Sequence, residues 1–166
     1  MGESVSSGKT LVANAITAKG VSTSTSASFS AMATNVSNIS TGKVVAVASS
    51  HTNASGNIML GNGPVQKIYD SSYLSYSSST GLFTAKKAFK ASISHTMMCC
   101  NESNTGYSYV KINSSMASGS SKLSSSNFAK KYQVFTIDIK KNDTIGCFNE
   151  QSNSYVVPAS MTIMAV

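Results

Sequence analysis

The chain contains no tryptophan and no arginine, and only 11% of its residues are charged. Its 13 lysines outnumber six carboxylates, and the resulting net charge of +7 is compatible with a nucleic-acid partner. However, arginine is the side chain best suited to bidentate contacts with phosphate or guanine, and the lysines are spread from Lys9 to Lys141, with doublets only at 86–87, 130–131 and 140–141. We therefore predict no nucleic-acid partner.

Cysteine is also scarce, and its positions argue against a disulfide framework or a metal centre. Cys99 and Cys100 are adjacent, Cys147 is isolated, and no C-x-x-C pair occurs. A metal site formed by these cysteines with His51 or His95 is disfavoured, because adjacent residues of a strand point to opposite faces of the sheet. We predict no metal and no other cofactor.

Long apolar runs are missing as well. No stretch of about 18 apolar residues is present for a membrane span, and no basic segment followed by an apolar one has the form of a signal peptide. We therefore expect no membrane insertion and synthesis in a reducing cytoplasm. The 41% hydrophobic content nevertheless indicates a domain with a real core and not wholesale disorder.

The sequence has no complete catalytic motif. Residues 4–10, SVSSGKT, end like a phosphate-binding P-loop, but Glu3 replaces its first glycine and no hydrophobic strand precedes it. There is no G-x-S-x-G nucleophile elbow and no close carboxylate pair of the kind that a glycosidase needs. His95 continues an alternating apolar pattern, which predicts a buried, hydrogen-bonded histidine and not a catalytic base. We predict that the protein is not an enzyme and has no catalytic residues.

The first 41 residues carry two short apolar stripes of helical period, separated by a Ser/Thr-rich loop at residues 22–28. The stripes are Leu11, Val12, Ala15 and Ile16, and then Phe29, Met32, Ala33, Val36 and Ile39. Gly20 is placed to end the first helix, and Ser26 or Ser28 to cap the second. We predict an α-helical hairpin in residues 1–41. Neither helix is expected to reach the roughly 12 to 15 residues that an isolated helix needs, so the stripes must pack on each other, on another copy or on a neighbouring domain.

This stretch resembles a segment of tail and minor structural proteins from bacteriophages and prophages of Gram-positive bacteria. The matching residues are Gly8, Lys9, Ala15, Ile16, Lys19, Gly20, Val21, Phe29, Met32, Ala33, Val36 and Ile39. Val36 stands where an isoleucine is expected. The resemblance implies that residues 1–41 attach the chain to other phage virion proteins or trimerise it. It also implies a location on the phage tail or head after assembly in the bacterial cytoplasm.

From about Lys43 onward the apolar period changes to two, which is typical of strands. The predicted strands are Val44–Ala48, Ile58–Leu60, Ala88–Met98, Tyr107–Ile112, Tyr132–Ile139, Thr144–Phe148 and Ser160–Val166. Short strands with turn signals and no interleaved helices predict a mainly β fold class. We expect an antiparallel jelly-roll sandwich in residues 42–166.

Three segments of this region, 76–94, 107–113 and 134–148, resemble the C1q and tumour-necrosis-factor (TNF)-like jelly roll. Residues 80–84, TGLFT, match the family's turn before an alternating strand. Residues 141–143, KND, match a basic and Gly-Asp turn, with Asn142 in place of glycine because asparagine tolerates positive φ. The aromatic residues usual near the end of the family's last strand are absent from residues 161–166, MTIMAV.

The jelly-roll resemblance implies a homotrimer whose inner sheets meet around a three-fold axis. The apolar tail would then be an inner strand. If it were not, Ile163, Met164 and Val166 would form an exposed, aggregation-prone edge.

Together these patterns predict a phage virion structural protein of the tail-fibre or baseplate type, which recognises a host cell-wall glycan or surface protein. Loops repeated in a trimer would make weak single-site binding avid. Polar segments 49–57, 101–106 and 114–127 are candidates for contact, as are Tyr69, Tyr73 and Tyr76, although half-buried structural tyrosines are the more ordinary interpretation. The sequence does not identify the receptor-binding residues. The alternative is a capsid-decoration or head-fibre protein with a purely architectural role.

Overall fold

A computed structural model describes residues 2–39, 42–52, 56–57, 65–99, 105–150 and 157–166. The chain divides into two compact units, Met1–Thr41 and Gly42–Val166. No helix among the described residues is long and apolar enough to cross a membrane.

The first unit is a helical hairpin, formed by α1 (Gly2–Ala18) and α2 (Phe29–Ser37). Gly20 adopts φ +90° just after α1, and the Ser28 side chain caps α2 by accepting a hydrogen bond of 3.1 Å from the Ala31 N–H. The predicted end of the first helix near Gly20 and the predicted cap of the second helix at Ser28 are confirmed. The prediction that neither helix reaches 12 residues is wrong for α1, which has 17. Its N-terminal half lacks apolar periodicity but also contains no proline, so the helix propagates through it.

The buried side of α1 also differs from the predicted stripe. Ala13 and Ile16 are buried against Met32 of α2, whereas Leu11 is 71% exposed. At about 100° per residue, Leu11 lies roughly 200° around the helix from Ala13. Only Ile16 of the predicted first stripe therefore lies in the hairpin core.

The second unit contains twelve strands among its described residues, and every strand pair is antiparallel. They are β1 (Lys43–Thr52), β2 (Gly56–Asn57), β3 (Val65–Tyr69), β4 (Leu74–Ser77), β5 (Leu82–Ala85), β6 (Phe89–Met98), β7 (Gly106–Ile112), β8 (Ser115–Met116), β9 (Leu123–Ser125), β10 (Lys130–Ile139), β11 (Thr144–Glu150) and β12 (Val157–Ala165).

The strands form two sheets. The five-stranded sheet has the order β10-β6-β12-β1-β3. The seven-stranded sheet has the order β4-β5-β11-β7-β8, with β2 paired to β11 and β9 paired to β7. The mainly β, two-sheet antiparallel architecture predicted from the sequence is confirmed.

Six of the seven predicted strands lie inside β1, β6, β7, β10, β11 and β12, apart from Ala88 and Val166, which each lie one residue beyond a strand end, and Ile58–Leu60 lies outside the described residues. Strands β2, β3, β4 and β5 were not predicted from the sequence. These strands have two to five residues each, which is too few alternations for a period of two to stand out. Segment 114–127 is also not a loop throughout, since β8 and β9 pair with the two ends of β7 there.

The core lies between the sheets. Ile93 and Ile163 of the five-stranded sheet and Phe83 and Ile145 of the seven-stranded sheet are fully buried. Strand β12 pairs with β6 on one side and β1 on the other. The expectation that the apolar tail is not an exposed edge is therefore confirmed.

The strand register gives the sandwich two ends. At the entry end, where β1 begins, lie the turns at residues 70–73, 86–88 and 140–143. At the far end β6 stops at Met98 and β10 begins at Lys130. The positive φ expected at Asn142 is confirmed, at +73°.

We predict that Met32→Ala destabilises the helical hairpin by about 2 kcal/mol or more, because truncating a fully buried methionine leaves a cavity. The rate of limited proteolysis within residues 1–41 of the full chain should then rise about 30-fold. Val36→Ala is the control, since Val36 is 51% exposed and its truncation should change the rate less than about threefold. Equal rates for the two variants would contradict the packing.

Candidate functional site

The outer face of the seven-stranded sheet carries an aromatic strip formed by Tyr107, Tyr109 and Phe148. Tyr107 and Tyr109 alternate along β7 with the buried Ser108 and Val110, so both point away from the core. Phe148 of β11 is the register partner of Tyr109, and their ring centroids are 6.1 Å apart. Tyr107 is 37% exposed and offers the most accessible ring of the three.

Charged side chains surround the aromatic strip. The Lys111 Nζ lies 3.7 Å from the centroid of the Phe148 ring, and the Lys122 Nζ lies 4.9 Å from that of Tyr107. Lys122 also forms an ion pair with Glu150, which is the register partner of Tyr107. These contacts bring a carboxylate acceptor and an ammonium donor to the edge of the strip.

The pKa values at the strip follow from this arrangement. The hydrogen bond from Lys122, followed by one from Tyr109, lowers the pKa of Glu150. The same ion pair raises the pKa of Lys122. Burial, and then the hydrogen bond to Glu150, raises the pKa of Tyr109. At neutral pH the edge therefore holds one fixed acceptor and one fixed donor beside an apolar ring, a combination suited to a sugar ring with its hydroxyl groups.

Sequence reasoning missed this strip, although the Tyr-Ser-Tyr alternation at residues 107–109 was a usable signal. The tyrosines that it singled out lie elsewhere. Tyr69 and Tyr76 pack on Phe83 with centroid distances of 5.7 and 5.1 Å, and Tyr73 packs edge-on to Phe89 at 5.3 Å. This packing fits the ordinary structural interpretation, which the sequence favours over a role in sugar binding.

The predicted contact segments are only partly described. Residues 49–52 belong to β1 and Gly106 begins β7, whereas residues 53–55 and 101–104 lie outside the described residues. Residues 114–127 run along β7, where β9 places Ser124 beside Tyr107 in the register. Of the three segments, this one borders the aromatic strip within the described part of the chain.

His95 is buried and hydrogen-bonded, as the sequence predicts. Its Nε2 is 3.0 Å from the Ser108 Oγ, and its Nδ1 is 3.2 Å from the Gln133 Nε2. The backbone of Ser121 orients the Gln133 amide, because its N–H donates to Oε1 at 2.7 Å and its carbonyl accepts from Nε2 at 2.8 Å. The Gln133 amide therefore donates to Nδ1, and the proton of the neutral ring resides on Nε2.

This serine–histidine pair is not built for nucleophilic catalysis. His95 and Ser108 are both fully buried, and the group opposite Nδ1 is an amide and not a carboxylate. Burial lowers the pKa of His95 to about 4. Protonation of Nδ1 would also place its new N–H opposite the N–H of the Gln133 amide, so that two hydrogen-bond donors would face each other.

The other candidates do not assemble into a site. Cys147 is a free, buried thiol, and burial raises its pKa to about 12, which keeps it protonated. Cys99 is buried as well, while Cys100 and the side chain of His51 lie outside the described residues. Among the residues that are described, no three His, Cys, Asp or Glu side chains could hold a metal ion together. Residues 4–10 are helical within α1 and form no phosphate-binding loop.

We predict that acid destabilises the sandwich through His95. Its pKa is lower in the folded state than in the unfolded chain, so the unfolded chain binds more protons as the pH falls from about 6.5 towards 4. The free energy of unfolding should drop by about 2 kcal/mol between pH 7.5 and pH 5.0, as measured by urea denaturation. In His95→Gln most of that drop should vanish. An unchanged drop in the variant would show that another group is responsible.

Comparisons with known proteins support the fold. No protein-family model matches the chain, and no curated protein matches it. The globular domain of zebrafish complement 1qA protein is similar, with a TM-score of 0.52 and 12% identity over 75% of this chain and 97% of its own.

Two further solved structures are similar at comparable levels. Murine APRIL at pH 5.0 has a TM-score of 0.50 and 9% identity, over 72% of this chain and 98% of its own. PRD1 vertex protein P5 has a TM-score of 0.48 and 14% identity, over 74% of this chain and 96% of its own. At such low identities the similarity shows the fold alone. The second unit therefore has the C1q/TNF-like jelly-roll fold.

Proposed function

We propose that the protein is a non-enzymatic phage virion component that binds a host cell-surface glycan or protein as a homotrimer. Residues 1–41 attach it to other virion proteins, and residues 42–166 are displayed for binding. The observation that carries the proposal is the contrast between the outer faces of the two sheets. One face exposes several branched apolar side chains and is suited to self-association, and the other carries the aromatic strip.

The outer face of the five-stranded sheet supports the trimer. One row of residues crosses the sheet in register, in the order Val134, Ser94, Thr162, Val47 and Ile68. Of these, Ile68 is 79% exposed and Val134 64%. The exposed apolar side chains lie on β1, β3 and β10, and the strands between them present the small polar residues Ser94 and Thr162, so the row combines apolar contact with little charge, as association surfaces do. In the proposed trimer, two further copies cover this face.

The aromatic strip supports the binding role. It lies on the sheet opposite to the proposed trimer face, so association through the five-stranded sheet leaves it accessible. The exposed Tyr107 ring would stack on the apolar face of a sugar, while Glu150 and Lys122 would hydrogen-bond its hydroxyl groups. Three copies in one assembly would raise the avidity of weak individual contacts.

Solution mass tests the trimer. By light scattering at micromolar concentration, the full chain should show about three times its monomer mass of 17.3 kDa. Ile68→Lys should yield monomers, because it would bury an unpaired charge in each interface. Ser124→Lys, an exposed position on the other sheet, should remain trimeric. A monomeric wild-type chain would contradict the trimer.

Adsorption to cells tests the binding role. Labelled wild-type protein should bind intact cells of the bacterium that hosts the phage or carries the prophage. Tyr107→Ala should weaken this binding at least tenfold, as loss of a central aromatic contact does. Tyr69→Ala is a matched control, since Tyr69 is 38% exposed and Tyr107 37%, and it should leave binding within about twofold.

If the wild-type protein is a trimer but does not bind the cells, receptor binding is contradicted and the purely architectural role is favoured. Equal losses in the two tyrosine variants would contradict the assignment to the aromatic strip.

A further inference from the structure

Two lysine doublets that are more than 50 residues apart in the sequence lie side by side at the entry end of the sandwich. Lys86 and Lys87 occupy the β5–β6 turn, and Lys140 and Lys141 occupy the β10–β11 turn. Backbone hydrogen bonds join the turns, from Ala85 N–H to the Asp143 carbonyl at 2.9 Å and from Asn142 N–H to the Ala85 carbonyl at 2.7 Å. All four lysines are exposed. We call them the lysine patch.

The carboxylates at this end have neighbours other than the four patch lysines. Asp143 accepts hydrogen bonds from the Asn113 side chain at 2.9 Å and from the Lys140 backbone N–H at 2.8 Å. Asp70 is paired with Lys43, and Asp138 lies opposite Lys90 in the register of β10 and β6. No ion pair to the four patch lysines is present among the described residues. Asp70 is neutralised by Lys43, and Asp138 lies opposite Lys90, so the four patch lysines outnumber the one remaining carboxylate, Asp143, whose hydrogen-bond donors are neutral.

We propose that the lysine patch binds a flexible, phosphate-bearing polymer. Lysine binds phosphate as a compact point charge, and four such charges on two adjoining turns suit a chain that can bend to meet each of them. This surface is separate from the aromatic strip, and the inference does not depend on the role proposed for that strip.

Two other classes of polyanion fit the patch less well. Nucleic-acid sites commonly add stacking aromatics and arginine, but the chain has no arginine, and the Lys87 Nζ lies 3.5 Å from the centroid of the nearby Tyr73 ring and covers it. Protein interfaces are depleted in lysine and have an apolar centre, whereas the patch is built from exposed lysines.

The chain supplies a matched control. Lys130 and Lys131 form a third exposed doublet at the start of β10, whereas Lys140 and Lys141 follow its end. Ten residues of strand place the two doublets about 30 Å apart. One double variant carries Lys140→Gln and Lys141→Gln (the 140/141 variant), and the other carries Lys130→Gln and Lys131→Gln (the 130/131 variant). Each removes two positive charges, so a difference in affinity between them reports a local site and not an effect of net charge.

The test measures binding of the full chain to long-chain inorganic polyphosphate over a range of salt concentrations. Four phosphate contacts predict about a 50-fold loss of affinity between 50 and 200 mM salt. The 140/141 variant should bind at least tenfold more weakly than wild type and show a shallower salt dependence. The 130/131 variant should remain within about twofold. Thermal melts of both variants should match that of the wild type.

Parallel measurements identify the source of the polymer. The same variants are tested with a phosphodiester polymer purified from the host cell envelope. If its binding also depends on residues 140 and 141, the cell envelope is the source. If only polyphosphate binds, the ligand is a free polymer. The proposal is overturned if wild type does not bind either polymer, or if both doublet variants lose affinity equally. Tighter binding of duplex DNA or of polyglutamate than of polyphosphate would also overturn it.

Discussion

The five-stranded sheet depends on the pairing of β12 on both of its edges. β12 joins β1, at the start of the second unit, to β6 in its middle. Without this strand, β1 and β3 would have no ladder to β6 and β10. Met161, Ile163 and Ala165 of β12 fill the core from the centre of the sheet, while Thr162 and Met164 reach its outer face. One alternating segment thus contributes to both the core and the proposed trimer surface.

The same alternation gives the sandwich two chemically different exteriors. The five-stranded sheet exposes branched apolar side chains, including Ile68 and Val134. The seven-stranded sheet exposes aromatic rings that lysines partly cover, with Glu150 fixed beside them. Because a pleated strand directs successive side chains to opposite faces, each exterior can vary without disturbing the core. In the proposed trimer, this separation keeps the association face and the aromatic strip on different sheets.

His95 shows how a pair that looks catalytic can serve the fold. It connects β6 to Ser108 of the opposite sheet and to Gln133 of β10, which in turn holds the backbone of Ser121. The network satisfies polar groups that would otherwise be costly to bury. Its cost is sensitivity to acid, because the buried ring must stay neutral.

Local patterns in the sequence determined the helix cap at Ser28, the turn at Asn142, the burial of His95 and most of the long strands. These features depend on a residue and its near neighbours along the chain, so period and propensity are enough to predict them. The same logic explains why the short strands β3 to β5 were missed, since they contain too few alternations to form a pattern.

Only the tertiary structure decided which surfaces these elements build. The side of α1 that is buried depends on where Met32 of α2 lies, and the aromatic strip depends on the register that sets Phe148 beside Tyr109. The lysine doublets appear scattered along the chain, yet hydrogen bonds between two distant turns bring two of them together. The physical reason is that strand pairing joins residues far apart in sequence, and no local pattern records which partner a strand will take.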